Sequence, residues 1–187
     1  MGNPNVGKSV LFTRLTGAEV MVSNYPGTTV DYTRGKMKFG EEMAEVIDVP
    51  GVYSLEPSNP AEVVAAEMLP SGEALVNVVD ATNLERNLYL TLQLLERGQP
   101  MLVALNMWDE AQHLGIEIEV QGLERLLGVP VVPTVALTGE GVSELVKRLH
   151  EAPVPERQAA EETERWSEIG RIVAQVQKVG HRHHTFW

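Results

Sequence analysis

The stretch that decides the fold is Gly2-Asn3-Pro4-Asn5-Val6-Gly7-Lys8-Ser9, at the front of the sequence. Its spacing, G-x-x-x-x-G-K-S, is that of a phosphate-binding loop. The two glycines let the backbone curl so that successive N–H groups converge on an anion. Lys8 brings positive charge to the outer phosphates. Ser9 offers a hydroxyl to Mg²⁺ at the start of a helix, whose N-terminus also favours negative charge. The candidate phosphate contacts are Gly2, Asn3, Pro4, Asn5, Val6, Gly7, Lys8, Ser9 and Val10.

Such a loop normally follows a buried central strand. Only Met1 stands before Gly2. A strand with roughly five buried apolar side chains contributes on the order of 10 kcal/mol, at about 1.5–3 each. That is comparable with a domain's whole net stability of about 5–15 kcal/mol. The sequence therefore predicts a first strand missing through a late start, a strand lent by another chain, or an altered sheet.

Outward from the loop, residues 8–16 read as a helix with Val10, Leu11, Phe12 and Leu15 on its apolar side and Gly17 as its stop. Residues 18–31 read as a loop rich in Asn, Pro, Gly and Thr. Residues 32–39 and 43–49 form a hairpin turning at Gly40. A short helix is expected near 61–69, and 74–79 is an apolar strand apart from Asn77. Asn83 is placed to cap a helix whose Leu84, Leu88, Leu92 and Leu95 share one face. Residues 100–105 form the next buried strand. Helices of 109–114 and 118–127 follow, broken at Gly115, then a strand at 129–135 and a helix marked by Val142, Leu145, Val146 and Leu149. Residues 153–160 read as a linker, and 161–179 as a separate helix with Trp166, Ile169, Ile172, Val173 and Val176 on one face. Strands alternating with helices imply an α/β fold: a mostly parallel sheet covered on both faces. Ligands of such sheets sit outside the carboxyl ends of the strands.

The 187 residues carry a net charge of −11, which argues against a nucleic-acid or anionic-membrane surface. A phosphate ligand must then be held by local features. There is no Cys, so no disulfide framework and no thiolate metal site. No run of about 18 apolar residues is present to span a membrane. His113 and His150 read as surface residues, and His181-Arg182-His183-His184 as a solvated end with no ordered metal sphere.

Four further motifs lie at the predicted strand ends and loops. Asp48-Val49-Pro50-Gly51 is D-x-x-G: Asp48 can hold Mg²⁺ through water, and the Gly51 N–H can meet a γ-phosphate. Asn106-Met107-Trp108-Asp109 is N-x-x-D: the Asp109 carboxylate can accept two N–H bonds from the Watson–Crick edge of guanine. Adenine offers no matching donor pair, so the mismatch would strand a carboxylate. Asn106 can bond the purine and tie neighbouring loops, while Met107 lays an unbranched stem over the base. Val135, Ala136 and Leu137 resemble a second base loop, with the Ala136 N–H aimed at the base carbonyl. Thr28 and Thr29 are placed to close over Mg²⁺ and the γ-phosphate.

In this order and spacing, residues 2–150 resemble a translation-factor-class small G protein. The finer resemblance is to the ferrous iron transport protein B family. It rests on Asn24-Tyr25-Pro26-Gly27-Thr28-Thr29-Val30, on Asp48-Val49-Pro50-Gly51-Val52-Tyr53-Ser54-Leu55, and on Leu105-Asn106-Met107-Trp108-Asp109-Glu110-Ala111. The resemblance implies a three-layer P-loop GTPase fold with a G domain at 1–152, a linker at 153–160 and the truncated start of a helical, GDI-like domain at 161–187. It also implies a cytoplasmic domain of an inner (plasma) membrane protein, partnered by the transmembrane part of the same full-length protein, with homo-oligomers and no nucleic acid. The departures are the absent first strand, Tyr25 where Trp is common, Met107 for Lys, Val135 for Ser, and the short helical part.

The implied activity is slow GTP hydrolysis that regulates ferrous iron transport, with GTP or GDP as ligand, Mg²⁺ held through Ser9, Thr29 and Asp48, and Asn5, Lys8, Thr29 and Gly51 as catalytic residues. Val52 stands where many GTPases carry a water-orienting Gln. Asn5 matches, by resemblance, the Asn that ligates an activating K⁺ in related GTPases, with carbonyls near Ser23 and Tyr25 completing the shell. Two alternatives stay open: a GTP/GDP-responsive switch with negligible turnover, and a GTPase of ribosome assembly or tRNA modification, which the acidic charge disfavours.

Overall fold

A run buried at every position, Met101-Leu102-Val103-Ala104-Leu105-Asn106, forms the central strand of a computed structural model describing residues 1–17 and 19–180. The fifteen elements in chain order are α1 (Lys8–Thr16), β1 (Val20–Asn24), β2 (Asp31–Phe39), β3 (Glu42–Asp48), α2 (Pro60–Met68), β4 (Leu75–Asp80), α3 (Leu84–Leu95), β5 (Met101–Asn106), α4 (Trp108–His113), β6 (Ile116–Ile118), α5 (Val120–Leu127), β7 (Val131–Pro133), α6 (Val142–Leu149), α7 (Glu162–Val176) and β8 (Gln177–Val179). β4, β5 and β7 pair in parallel, with Leu75 opposite Met101 and Val103 opposite Val131. Alternation along β5 feeds two cores. Met101, Val103 and Leu105 join the leucines of α3 and α5, while Leu102 and Ala104 join Leu11 of α1 and Leu145 of α6. The parallel sheet is thus covered on both faces, which is why its strands read as continuous apolar runs.

β1, β2 and β3 form a separate antiparallel sheet. β3 and β4 do not pair with one another. Between them runs a groove of about 590 Å³, lined in part by Leu11, Phe12, Leu15, Met37, Val46 and Val76. Met1 and Gly2 occupy its end: Gly2 bridges in parallel to Val78, and the Met1 carbonyl accepts the Val78 N–H at 2.8 Å. The Met1 amine donates to the Val76 carbonyl at 2.8 Å. Burial, and then the charge of Lys8, push that amine down to about 5, against the opposing charge of Asp48. Asn77, the polar residue that interrupts the apolar run of β4, is also explained. It is 1% exposed, donates to the Met1 carbonyl at 3.3 Å and accepts from the Thr91 hydroxyl at 2.7 Å.

Several boundaries differ from the sequence reading for identifiable reasons. The loop expected over 18–31 contains β1, whose Val20, Met21 and Val22 are 46%, 60% and 64% exposed. It is an edge strand paired to β2, with no buried face to impose alternation. Val10 of α1 also lies exposed rather than on the apolar side. Asn83 stands at the α3 N-cap, but its side chain makes no capping bond. The Asp80 carboxylate instead accepts the Thr82 N–H at 2.8 Å in the 3-10 turn before it. Ile118, expected to open a helix, instead ends β6, which pairs with β8; β8 likewise ends the long C-terminal helix at Val176.

α7 finds its partner surface within the chain, against α3 and α5. Ile169, Ile172 and Val176 are buried there, while Trp166 is exposed and stacks on Tyr89 with centroids 4.9 Å apart. Leu90, Gln93 and Leu94 of α3 are buried beyond its expected leucine face, and Gln93 Oε1 accepts the Leu55 N–H at 2.8 Å. Arg165 is buried too, forking onto Glu96 at 3.0 and 3.2 Å. The tail of 181–184 lies outside the described residues. His113 and His150 are exposed, and His150 stacks on Phe39. Among the described residues, no helix is long and apolar enough to cross a membrane.

Candidate nucleotide site

The phosphate loop turns through two left-handed residues, Asn5 (φ 64°) and Gly7 (φ 85°). Gly7 is required twice over. A side chain there would be strained at that φ, and its Cβ would collide with the amide of Asn106. The loop then feeds α1, whose first residues meet the end of β3. Lys8 Nζ lies 2.6 Å from Asp48 Oδ1, and the Ser9 hydroxyl donates to Asp48 Oδ2 at 2.9 Å. The pair is largely enclosed, with side chains 14% and 9% exposed. An ammonium, a hydroxyl and a carboxylate thus converge where an N-terminal helix end meets a C-terminal strand end.

Gly51 brings its backbone onto the same loop. A Cβ there would sit 3.0 Å from Pro4 Cα. The Val52 N–H donates to the Gly2 carbonyl at 3.1 Å, and its side chain is buried in the core. Asn3 is 3% exposed, and neither of its amide atoms has a partner among the described residues. Asn5 lies exposed at the top of the loop.

The base end is organised by Asn106, the last residue of β5 and 2% exposed. Its Nδ2 donates to the Val6 carbonyl at 2.9 Å. Its Oδ1 accepts the Thr134 hydroxyl at 3.2 Å and the Ala136 N–H at 3.0 Å. Asn106 ties the phosphate loop to the loop after β7, as its motif predicts. The Ala136 N–H, however, is turned onto Asn106 rather than left free. Met107 is left-handed (φ 58°) and starts α4, which carries Asp109 exposed in its first turn. Val135 and Ala136 are buried, and Leu137 is 74% exposed. Burial of Val135 is the local reason an apolar residue sits well there.

The structure does not bring every candidate to the centre. The Thr28 hydroxyl donates to the Tyr25 carbonyl at 3.0 Å and accepts the Val30 N–H at 3.1 Å, so it is committed to its own turn. Thr29 is exposed in the same loop, and Val10 faces solvent on α1. One residue missed in the sequence is Arg14. Its Nε donates to the Ala136 carbonyl at 3.0 Å, and its Nη2 donates to the Leu137 carbonyl. No local signal marks it, because its partners are carbonyls more than a hundred residues away.

A family model described as ferrous iron transport protein B matches residues 1–149. The Fe(2+) transporter FeoB of Escherichia coli K12 is 46% identical over 151 residues, covering 78% of this chain and 20% of the relative. A FeoA/FeoB fusion protein of Porphyromonas gingivalis is 46% identical over 152 residues, covering 80% and 18%. The chain therefore spans about a fifth of the length of these relatives. The solved cytosolic domain of L. pneumophila FeoB is similar with a TM-score of 0.87 at 34% identity, covering 95% of this chain and 97% of that one. A GDP-bound point mutant of the S. thermophilus FeoB G-domain gives 0.85 at 31%, with the same coverage.

Proposed function

The chain belongs to the ferrous iron transport protein B family, and from that premise we propose that it is the GTP-binding and slowly GTP-hydrolysing domain of a ferrous iron transporter. In this reading it works on the cytoplasmic side of the membrane, coupled to the transmembrane part of the same full-length protein, and binds neither RNA nor DNA. The observation that carries the reading is the meeting of Lys8, Ser9 and Asp48 at one helix N-terminus, tied through Val6 and Asn106 to a base end.

The residues act as follows. Backbone N–H groups of the phosphate loop cradle the phosphates, and a phosphate competes with Asp48 for Lys8. Asp109 accepts from the guanine edge, Met107 covers the base, and the Val135–Leu137 loop faces its carbonyl. Gly51 presents an N–H to the γ-phosphate, and Thr29, unengaged in its exposed loop, closes from above. Ser9 Oγ and the Asp48 carboxylate are adjacent hard oxygens and fit Mg²⁺, which when bound neutralises charge on the phosphates. Asn5 presents a neutral, exposed amide oxygen suited to K⁺, which when bound supplies positive charge in place of an arginine finger. The Tyr25 carbonyl expected beside it is engaged by Thr28 and must be released to join that shell.

Two experiments test the reading. Isothermal titration of GDP against Asp109→Asn is expected to show affinity lowered about a thousandfold or more, since such a site rejects a mispaired edge by roughly 10⁴–10⁵. Wild-type affinity would refute the base assignment. Phosphate release from GTP is expected to be faster in KCl than in NaCl, with the difference lost in Asn5→Ala. Equal rates in both salts, unchanged by the substitution, sink the K⁺ assignment. The buried Val52 side chain favours a second reading, a GTP/GDP-responsive switch with negligible turnover. No phosphate release in K⁺ would select it.

A further inference from the structure

The base-facing loop is braced from two sides, and only one brace belongs to the nucleotide motifs. On the inner side, Asn106 Oδ1 holds Thr134 and the Ala136 N–H. On the outer side stands Arg14, in the last turn of α1, the helix whose first turn carries Lys8 and Ser9. Its guanidinium donates to the carbonyls of Ala136, at 3.0 Å, and of Leu137. These belong to the two peptide units that directly follow the Ala136 N–H. Gly139 (φ 88°) lies beside the guanidinium, where a Cβ would make ordinary contact at 3.7 Å from Arg14 Nη1. Among the described residues no carboxylate lies within ion-pair distance of Arg14, so its charge is directed at the loop carbonyls.

We propose that Arg14 is a positioning residue for guanine recognition, holding residues 135–137 beside the base, where the Ala136 N–H leaves Asn106 Oδ1 to read the base carbonyl, and so setting how long a guanine nucleotide stays bound. The proposal rests on the reading of residues 135–137 as a base loop. The planar fork of Arg suits two successive carbonyls, which a Lys, as a point donor, cannot span. The Val135 side chain is apolar and buried, and offers the loop no polar brace of its own. Leu137 is mostly exposed, so burial does not fix the loop at that point either. α1 then connects the two ends of the ligand: its N-terminus faces the phosphates, and its last turn holds the loop over the base. Capture begins at the phosphate loop, which Arg14 does not touch. Loss of Arg14 therefore acts on dissociation and leaves association nearly unchanged.

The test is stopped-flow binding and release of a fluorescent GDP analogue by the full chain, compared across Arg14→Ala, Arg14→Lys and Asp109→Asn. Arg14→Ala is expected to raise the dissociation rate about tenfold, equivalent to 1.4 kcal/mol, with the association rate within about twofold of wild type. Arg14→Lys is expected to fall between, because one carbonyl keeps a donor. Inosine diphosphate carries the same base carbonyl as GDP, so its dissociation should accelerate by the same factor. An unchanged dissociation rate in Arg14→Ala, with Asp109→Asn weakened, overturns the role of Arg14 and leaves the base assignment standing. Equal losses in association and dissociation, tracking a lowered Tm, assign Arg14 to the fold alone and also overturn it. If Asp109→Asn itself binds GDP like wild type, the base-loop reading fails and the proposal fails with it.

Discussion

The two ends of the nucleotide site are built to different standards. The base end stands on β5 and β7, which pair in register with every β5 position buried, and is locked by Asn106. The phosphate end stands on β3, which pairs only with its antiparallel neighbour and faces the groove that separates it from β4. Its connection to the parallel sheet is the short pairing of Met1 and Gly2 with β4, with α1 packed over both. The base end is set by the fold before any ligand arrives. The phosphate end is completed by side-chain contacts such as Lys8 with Asp48.

The largest way to break this contrast is Asn106→Ala. It leaves the Val6 carbonyl, the Thr134 hydroxyl and the Ala136 N–H without their partner, at about 1–3 kcal/mol for each group stranded in the interior. Urea unfolding should show a loss of roughly 4 kcal/mol; a loss under about 1 kcal/mol means the base end is not the rigid one. Next is Arg165→Ala, which strips the fork from Glu96, with both side chains nearly buried at 6% and 11% exposure. Arg165 also lies 3.9 Å from Glu56, just beyond the D-x-x-G segment, so it links the phosphate side to α3. The expected cost is about 3 kcal/mol, and Glu96→Gln together with Arg165→Met should recover part of it.

Hydrogen exchange measures the contrast directly. Amides of β5 should open only with global unfolding, and those of β3 at a free energy lower by about 2 kcal/mol. Equal protection would erase the difference between the two ends. The smallest effect concerns Glu124, which Arg148 grips at 2.8 and 2.9 Å and which accepts the Val131 N–H beside the base end. The Arg148 bonds, ahead of that from Val131 and against burial, hold its carboxyl below the usual range. A lowered folded pKa gives stability present above the unfolded pKa and lost as pH falls through the folded one. Glu124→Gln should therefore flatten the acid limb below about pH 4.5. Because the pair is about a third exposed, the loss at pH 7 should stay near 1 kcal/mol.

What was legible in the sequence follows the same divide. β5 and the leucine face of α3 announce themselves because burial on both sides leaves unbroken apolar runs. Asn106 is legible because its place in the N-x-x-D spacing sets it at a strand end where it can tie two loops. β1 is not, since its exposed Val20, Met21 and Val22 carry no alternation and depend on β2 for pairing. Nor are β6 and β8, two three-residue strands that exist only because distant segments meet. Arg14 and Asn77 escape for another reason. Arg14 answers to two backbone carbonyls and Asn77 to one carbonyl and the Thr91 hydroxyl, partners distant in sequence that no local pattern encodes.

The groove between β3 and β4 has a consequence for cooperativity. The hairpin sheet closes through contacts near in sequence, whereas β4, β5 and β7 need long crossovers, so the halves have separate folding requirements. The seam between them runs through the nucleotide site itself. A ligand gripping both the phosphate loop and Asp109 adds its binding energy across that seam and to the folded state alone. Calorimetry should then find the melting transition raised when GDP is bound, because the nucleotide holds both halves of the folded state at once.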